Sequence, residues 1–272
     1  MDSLLDQYIC AVQERHSNLD QYFNEQARTT ERFVIPYINH IRKVEPSQRV
    51  LEIGCSMGGN LVPFLAMGCT AVGVDLSASS IALGEKLFAH NPDKERLTLI
   101  TDDIYNRSEA DGKFDIIIMR DVIEHIHNQD KFMGFVHRFM APGAVFFLAF
   151  PPWYNPFGGH QQICSNKWLS KLPYFHLLPA LLYKVILKWG GESHSKIEAL
   201  LEIKETGISL ERFERLAKKH GYTIAQKTHY LINPNYETKF GLKPRKQFAL
   251  IQCIPFLRNF LTTAGYYALV KN

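Results

Sequence analysis

The sequence predicts an α/β domain built as a doubly wound, mostly parallel sheet of seven strands with helices on both faces. Two observations carry that prediction. Short apolar runs at residues 49–53, 71–75, 97–101, 114–119 and 144–150 alternate with helical stretches at 59–67, 78–90 and 130–140. Strands without in-out alternation belong to a sheet covered on both faces, and an intervening helix makes the crossover that parallel pairing needs. The second observation is the small-residue turn Gly54-Cys55-Ser56-Met57-Gly58-Gly59, which carries the first strand into the first of these helices.

Ahead of the sheet, residues 1–45 read as polar, helical and amphipathic, with Leu4, Leu5, Tyr8 and Val12 near helical spacing and with Pro36 and Pro46 as punctuation. After the fifth strand the alternation stops. Residues 153–205 are rich in Pro and aromatic side chains and leave the sheet at the carboxyl end of a strand, where open α/β sheets bind ligands, so they are expected to cap a site. Ser209 then caps a helix that ends at Gly221, and two more strands are expected at 223–232 and 266–270. The stretch 233–263 between them is expected to be a loop with one short helix. The chain thus divides into a helical N-terminal cap (1–45), a core (46–152), a cap insertion (153–205) and the remainder of the sheet (206–272) within a single domain.

At 272 residues, 46% of them hydrophobic and 21% charged, the chain can bury a sizeable core. A formal charge of +4, evenly spread, gives no reason to expect a nucleic-acid partner. Cys10, Cys55, Cys69, Cys164 and Cys253 are odd in number and form no C-x-x-C pair, which argues against a disulfide framework or zinc site and suits a reducing cytoplasm. The N-terminus lacks a basic region followed by an apolar core, so it does not read as a signal peptide. The apolar stretch 168–189 is interrupted by Lys171, Pro173, His176, Pro179, Lys184 and Lys188, short of the about 20 apolar residues a span requires.

Acids stand at the ends of successive strands. Glu52 lies two residues before Gly54, poorly placed for a pyrophosphate but suited to a cationic ligand. Asp75 ends the second strand, where a carboxylate accepts from both ribose hydroxyls, and Asp102 and Asp103 end the third, within reach of an adenine amino group.

With the motifs VLEIGCSMGG, VGVDLS, TLITDDI and FDIIIMRDVIEHI in order, residues 49–150 resemble the class I S-adenosylmethionine-dependent methyltransferases, a Rossmann-like family. Ser56 stands where that family usually has glycine. The resemblance implies S-adenosylmethionine as cofactor, a sulfonium and ammonium ligand without phosphate, with S-adenosylhomocysteine as product. It implies that Glu52, Gly54, Cys55, Ser56 and Gly58 shape the methionine and ribose pocket. Asp75 and Leu76 would hold the ribose, Asp102, Asp103 and Ile104 would flank the adenine, and Arg120 would lie near the sulfonium.

For the acceptor, Glu124 and His125 follow the fourth strand, where the ubiquinone-type O-methyltransferases that the chain resembles use an acid and a histidine to assist. They equally suit a bracing role in the loop. A metal held by Glu124, His125 and His127 is conceivable, but no further ligand cluster stands in the sequence and no metal is expected. The loop after the fifth strand contains Pro151-Pro152-Trp153-Tyr154-Asn155-Pro156-Phe157-Gly158-Gly159-His160. Its Trp153, Tyr154 and Phe157 are expected to line the acceptor site, and His160 is the favoured base or orienting residue, against a purely structural role. The Pro-Pro-aromatic run is not the motif of nucleobase amino methylation, because Phe150 precedes it and the strand is the fifth.

The expected function is therefore methyl transfer, at oxygen, to a small or to a lipid- or glycan-linked acceptor. Residues 168–189 permit a peripheral membrane contact through leucines, aromatics and lysines. Alternatives are a degenerate cofactor-binding domain and an RNA or protein methyltransferase. The latter would call for an added domain or a dense basic face. A nicotinamide dehydrogenase is disfavoured by Glu52 and the weak phosphate turn. Oligomeric state is not legible.

Overall fold

The computed structural model describes residues 19–108 and 112–271, so the helical pattern expected around Leu4, Leu5, Tyr8 and Val12 lies outside the described residues. In chain order the first half runs α1 (Leu19–Thr29), α2 (Ile35–Asn39), β1 (Arg49–Ile53), α3 (Val62–Ala66), β2 (Thr70–Asp75), α4 (Ala78–Leu87), β3 (Leu97–Thr101), β4 (Phe114–Arg120), α5 (Gln129–Val136) and β5 (Met140–Phe150). There follow α6 (Lys167–Lys171), α7 (Ala180–Trp189), α8 (His194–Thr206), α9 (Leu210–Lys219), β6 (Tyr222–Ile232), α10 (Asn235–Phe240), β7 (Arg245–Lys246), α11 (Ala249–Gln252), α12 (Leu257–Phe260) and β8 (Ala264–Lys271).

The strands form one sheet in the order β3-β2-β1-β4-β5-β8-β6-β7. β1 to β5 are parallel, while β8 is antiparallel to both β5 and β6. The reversal of strand order beside β1 opens a crevice at the carboxyl ends, where ligands bind in such sheets. Eight strands replace the seven expected. The addition is β7, a two-residue edge strand paired with Tyr230 and Ile232, too short and too charged to carry any sequence pattern.

Each inner strand feeds two cores because successive side chains point to opposite faces. Leu51, Ile53, Ile117 and Met119 pack on one face with α5 and α9, while Val50, Ile116 and Ile118 pack on the other with α2 and α3. A third, smaller core lies in the segment after β5, where Cys164, Leu169, Phe175, Tyr183, Leu187, Ile197 and Leu200 cluster. The Ser209 hydroxyl accepts from Arg212 N at the start of α9, as its position suggested. The 233–263 stretch departs from expectation, holding three short helices and β7. Tertiary partners fix them: Asn259 bonds Leu210 N and Glu211, and Arg258 pairs with Glu211 at 2.8 Å. Among the described residues, no helix is long and apolar enough to cross a membrane.

Candidate active site

The turn after β1 is shaped by two glycines. Gly54 has φ 72°, and a Cβ there would lie 2.4 Å from a Val122 methyl. A Cβ on Gly59 would lie 2.6 Å from Phe23 O and 2.7 Å from Gln26 Oε1, so glycine lets α1 rest on the turn. The turn's amides are already engaged: Gly54 and Cys55 donate to Val74 O, Gly58 to Cys55 O, and Ser56 to Asp75 Oδ2 at 2.7 Å. A pyrophosphate would find those donors taken. Asp75 Oδ1 accepts from Ser77 N at 2.8 Å, tying β2's end to the start of α4. After β3, Asp102 Oδ1 accepts from Asp103 N and Asn106 Nδ2, and Asp103 Oδ1 accepts from Tyr105 N. These local bonds hold three carboxylates at adjacent strand ends with further lone pairs to offer.

A cavity of about 670 Å³ opens there. Of the predicted cofactor residues, Gly54, Ser56, Asp75 and Leu76 line it from the first two strands. Asp102, Asp103, Ile104 and Arg120 line it from the next two, and His125 closes one side. Glu52, Cys55 and Gly58 do not line it. Glu52 is buried under the turn, where Asn60 Nδ2 donates to its Oε1 at 2.5 Å, because its strand register points it into the layer beneath. Burial pushes its carboxyl up to about 8, against the hydrogen bond from Asn60 and the charge of Arg120. Cys55 is fully buried, and Gly58 faces Leu99 and Phe88. Arg120 donates to Asn60 Oδ1 at 2.6 Å and to Asn235 Oδ1 at 3.0 Å, joining the turn to α10.

A second cavity of about 210 Å³ adjoins the first, and Asp121 lines both. Glu124, Phe157 and His160 line the second. Trp153 and Tyr154 do not. Trp153 packs edge-on to His176 and beneath the Lys204 ammonium, because the bend at Pro151-Pro152 turns it toward the small core. Tyr154 is exposed against Phe260.

Glu124, His125 and His160 converge, with one ligand-type atom of each lying within 4.8 Å of the others. Burial and the neighbouring Asp121 carboxylate push the Glu124 carboxyl well above its ordinary range. Burial, with His125 and His176 nearby, lowers His160 to about 3, and burial lowers His125 as well. Burial thus favours the proton-bearing form of Glu124 and the uncharged, proton-accepting form of both imidazoles. His127 also lines the large cavity but stands outside this cluster, 3.1 Å from Glu202 and exposed. Asp121 (φ 55°) and His160 (φ 56°) both hold left-handed backbone conformations that non-glycine residues adopt only at a cost.

Sequence reasoning missed Tyr22 and Gln26 of α1, which line the large cavity, and Asn233, Asn235 and Tyr236, which line the small one. The i, i+4 spacing of Tyr22 and Gln26 marks a common helix face. Only the docking of α1 on Gly59 says what that face meets.

The family described as a methyltransferase domain matches residues 23–227. The ubiquinone biosynthesis O-methyltransferase of Brucella melitensis biotype 2 is 30% identical over 102 residues, 37% of this chain and 40% of that protein. Norajmaline N-methyltransferase of Rauvolfia serpentina is 29% identical over 104 residues, 37% of this chain and 36% of that protein. The matched stretch thus spans about two-fifths of these relatives' length. Among solved structures, the plantazolicin methyltransferase BpumL in complex with S-adenosylhomocysteine aligns with TM-score 0.53 at 15% identity, over 98% of this chain and 90% of that one. Phosphoethanolamine N-methyltransferase 2 of Haemonchus contortus, in complex with S-adenosylmethionine, aligns with TM-score 0.52 at 18% identity, over 86% of this chain and 51% of that one. At such identities the likeness is one of fold. The family match covers most of the chain, and the chain belongs to the methyltransferase domain family.

Proposed function

We propose that the chain is an S-adenosylmethionine-dependent methyltransferase that methylates an oxygen of a small, or a lipid- or glycan-linked, acceptor. The observation that carries this reading is the pair of cavities meeting at Asp121, one lined by acids and the other by His160 and Phe157. Asp75 accepts from the ribose hydroxyls, Asp103 and Ile104 flank the adenine, and the sulfonium faces Asp121. The acceptor enters the smaller cavity, roofed by residues 153–205. The cofactor brings the activated methyl group, so the chain's own task is alignment, which can remove roughly 7–11 kcal/mol of the barrier. An alcohol or phenol must also lose a proton, and the uncharged imidazoles of His125 and His160 are suited to take it.

A hydrophobic part to the acceptor is supported by α7. Tyr183 and Leu187 face the small core, while Leu181, Leu182, Val185 and Trp189 are exposed on the opposite face, and Trp168 of α6 is exposed as well. Lys167, Lys171, Lys184 and Lys188 belong to the same stretch of sequence. An exposed apolar face rimmed by lysines suits the surface of an anionic bilayer, from which a lipid-linked substrate is drawn.

The test is calorimetric titration with S-adenosylhomocysteine beside NADH, followed by transfer of labelled methyl to amphiphilic alcohols and phenols. Removing the ribose acceptor in Asp75→Ala weakens nucleoside binding at least about tenfold. Binding that Asp75→Ala leaves intact would sink the cofactor assignment. Binding without transfer to any hydroxyl acceptor would leave a cofactor-binding domain or a different acceptor atom.

A further inference from the structure

We propose that Glu124, His125 and His160 hold a divalent transition-metal ion at the junction of the two cavities, and that this ion receives the acceptor's hydroxyl oxygen. The proposal deepens the methyl-transfer reading of the same site and rests on it for the second clause only.

The three residues arrive from separate places. Glu124 and His125 stand on the single helical turn after β4, and His160 comes from the loop that leaves β5. The side chain of Glu124 is the anomaly. The residue is 3% exposed, and neither carboxylate oxygen has a hydrogen-bond partner. Its main chain is well served, since the carbonyl accepts from Thr206 Oγ1 at 2.5 Å. A buried carboxyl with nothing to bind is expensive, and a cation is one of the few partners that would satisfy it. The two imidazoles face that carboxyl from the cavity side. Their rings meet edge to face with centroids 5.1 Å apart, so neither is stacked away from the shared space, and neither ring has a hydrogen-bond partner among the described residues. The left-handed backbone at His160 is an independent sign that the loop is held in an unfavourable conformation to aim this ring.

The three ligand atoms stand close enough together for one ion to bridge them. They now lie within 4.8 Å of one another and would be about 3–3.5 Å apart around an ion with bonds of roughly 2.0–2.2 Å. His125 is the exposed member of the three. Two imidazoles and one carboxylate select Zn²⁺, Mn²⁺, Co²⁺ or Fe²⁺ over Mg²⁺ or Ca²⁺, which prefer oxygen alone. Three protein ligands leave coordination positions open toward the cavity, as a catalytic rather than a structural ion requires.

With both imidazoles engaged by the ion and so unavailable as bases, an acceptor hydroxyl on the ion would become more acidic and would lose its proton to solvent instead. The oxygen's electron pair then forms the new O–CH₃ bond, while the S–CH₃ bond breaks with its pair left on sulfur. Alcohol and sulfonium thereby become methyl ether, neutral thioether and one released proton.

The test uses the full chain, stripped with EDTA, dialysed and titrated with Mn²⁺ while the free-ion electron paramagnetic resonance signal is followed, then with Zn²⁺ by calorimetry. The expected result is one saturable equivalent, bound at least about tenfold more weakly by Glu124→Gln and by His125→Gln, with His127→Gln unchanged. His125 is exposed, so its replacement leaves the core intact even if Glu124→Gln disturbs it. Absence of a saturable equivalent, or equal affinity in both variants, overturns the site. S-adenosylhomocysteine titrations of the same samples are read separately. Metal binding without nucleoside binding would remove the methyl-transfer reading and keep the ion, and the reverse would remove the ion alone.

Discussion

Glu52 shows what a carboxylate on an inner strand does once the sheet is covered. Read in isolation, an acid two residues before a glycine turn faces the ligand. In the fold it lies beneath the turn against Asn60, whose Oδ1 in turn accepts from Arg120 and Thr30. Its folded pKa of about 8 lies above the ordinary 4.5, chiefly through burial. The unfolded chain therefore gives up this proton first as pH rises, and the stability linked to it is lost between those two values. The neutral isostere Glu52→Gln should match the wild type below pH 4.5 and exceed it at pH 8.5, by on the order of a few kcal/mol. Urea unfolding at both pH values checks this. An equal offset at the two would mean the carboxyl is ionised in the native state. Positions such as Asp75 and Asp103 were legible because Asp75 ends β2 and Asp103 follows the end of β3, at the carboxyl edge of the sheet where the cavity opens. Trp153 was not legible, because an aromatic ring after two prolines can turn to either side and the choice belongs to its neighbours.

Among the elements, α7 joins local sequence to a testable function. Ten consecutive residues, Ala-Leu-Leu-Tyr-Lys-Val-Ile-Leu-Lys-Trp, are apolar almost all round the helix. A helix of that kind is normally buried on every side. Here the cluster around Tyr183 and Leu187 covers one face and leaves Leu181 at 83% and Trp189 at 87% exposure on the other. If that face meets a bilayer, co-sedimentation with anionic phosphatidylserine-containing vesicles should drop at least about tenfold in Leu181→Ser/Trp189→Ser. It should also weaken with added salt, through the lysines, and be minor on neutral phosphatidylcholine vesicles. Sedimentation indifferent to both substitutions would assign the face to something other than lipid. The sheet strands were the elements most fully readable. β1 and β3 have the bounds that their apolar runs suggested. By contrast, α10, α11 and α12 have at most six residues each, too few for a helical period to declare itself.

On the scale of the whole molecule, the covered faces also set its response to acid. His176 and His229 are fully buried, and burial lowers each to about 4. His176 Nε2 lies 2.9 Å from Trp153 O, and His229 Nε2 lies 2.9 Å from Tyr267 Oη, with Glu214, Glu211, Arg258 and Lys227 around it. The unfolded chain takes up these protons near pH 6.5 and the native one only near 4, so stability falls as pH drops through that interval. Each histidine contributes on the order of 3 kcal/mol to the loss. Guanidinium unfolding from pH 7.5 to 4.5 should show this decline, and His229→Gln should reduce its slope. A profile flat over that range would place the protons elsewhere. The sequence by itself determined the parallel sheet, the carboxyl-end position of the site and the acids around the larger cavity. These follow from local periodicity and from where strands stop. Only the tertiary structure decided that Glu52 lies under the turn, that α1 supplies Tyr22 and Gln26 to the wall, and that His160, not His127, meets Glu124 and His125. Such meetings join segments far apart in the chain, and they are fixed by how helices and loops pack on the sheet, which no local spacing records.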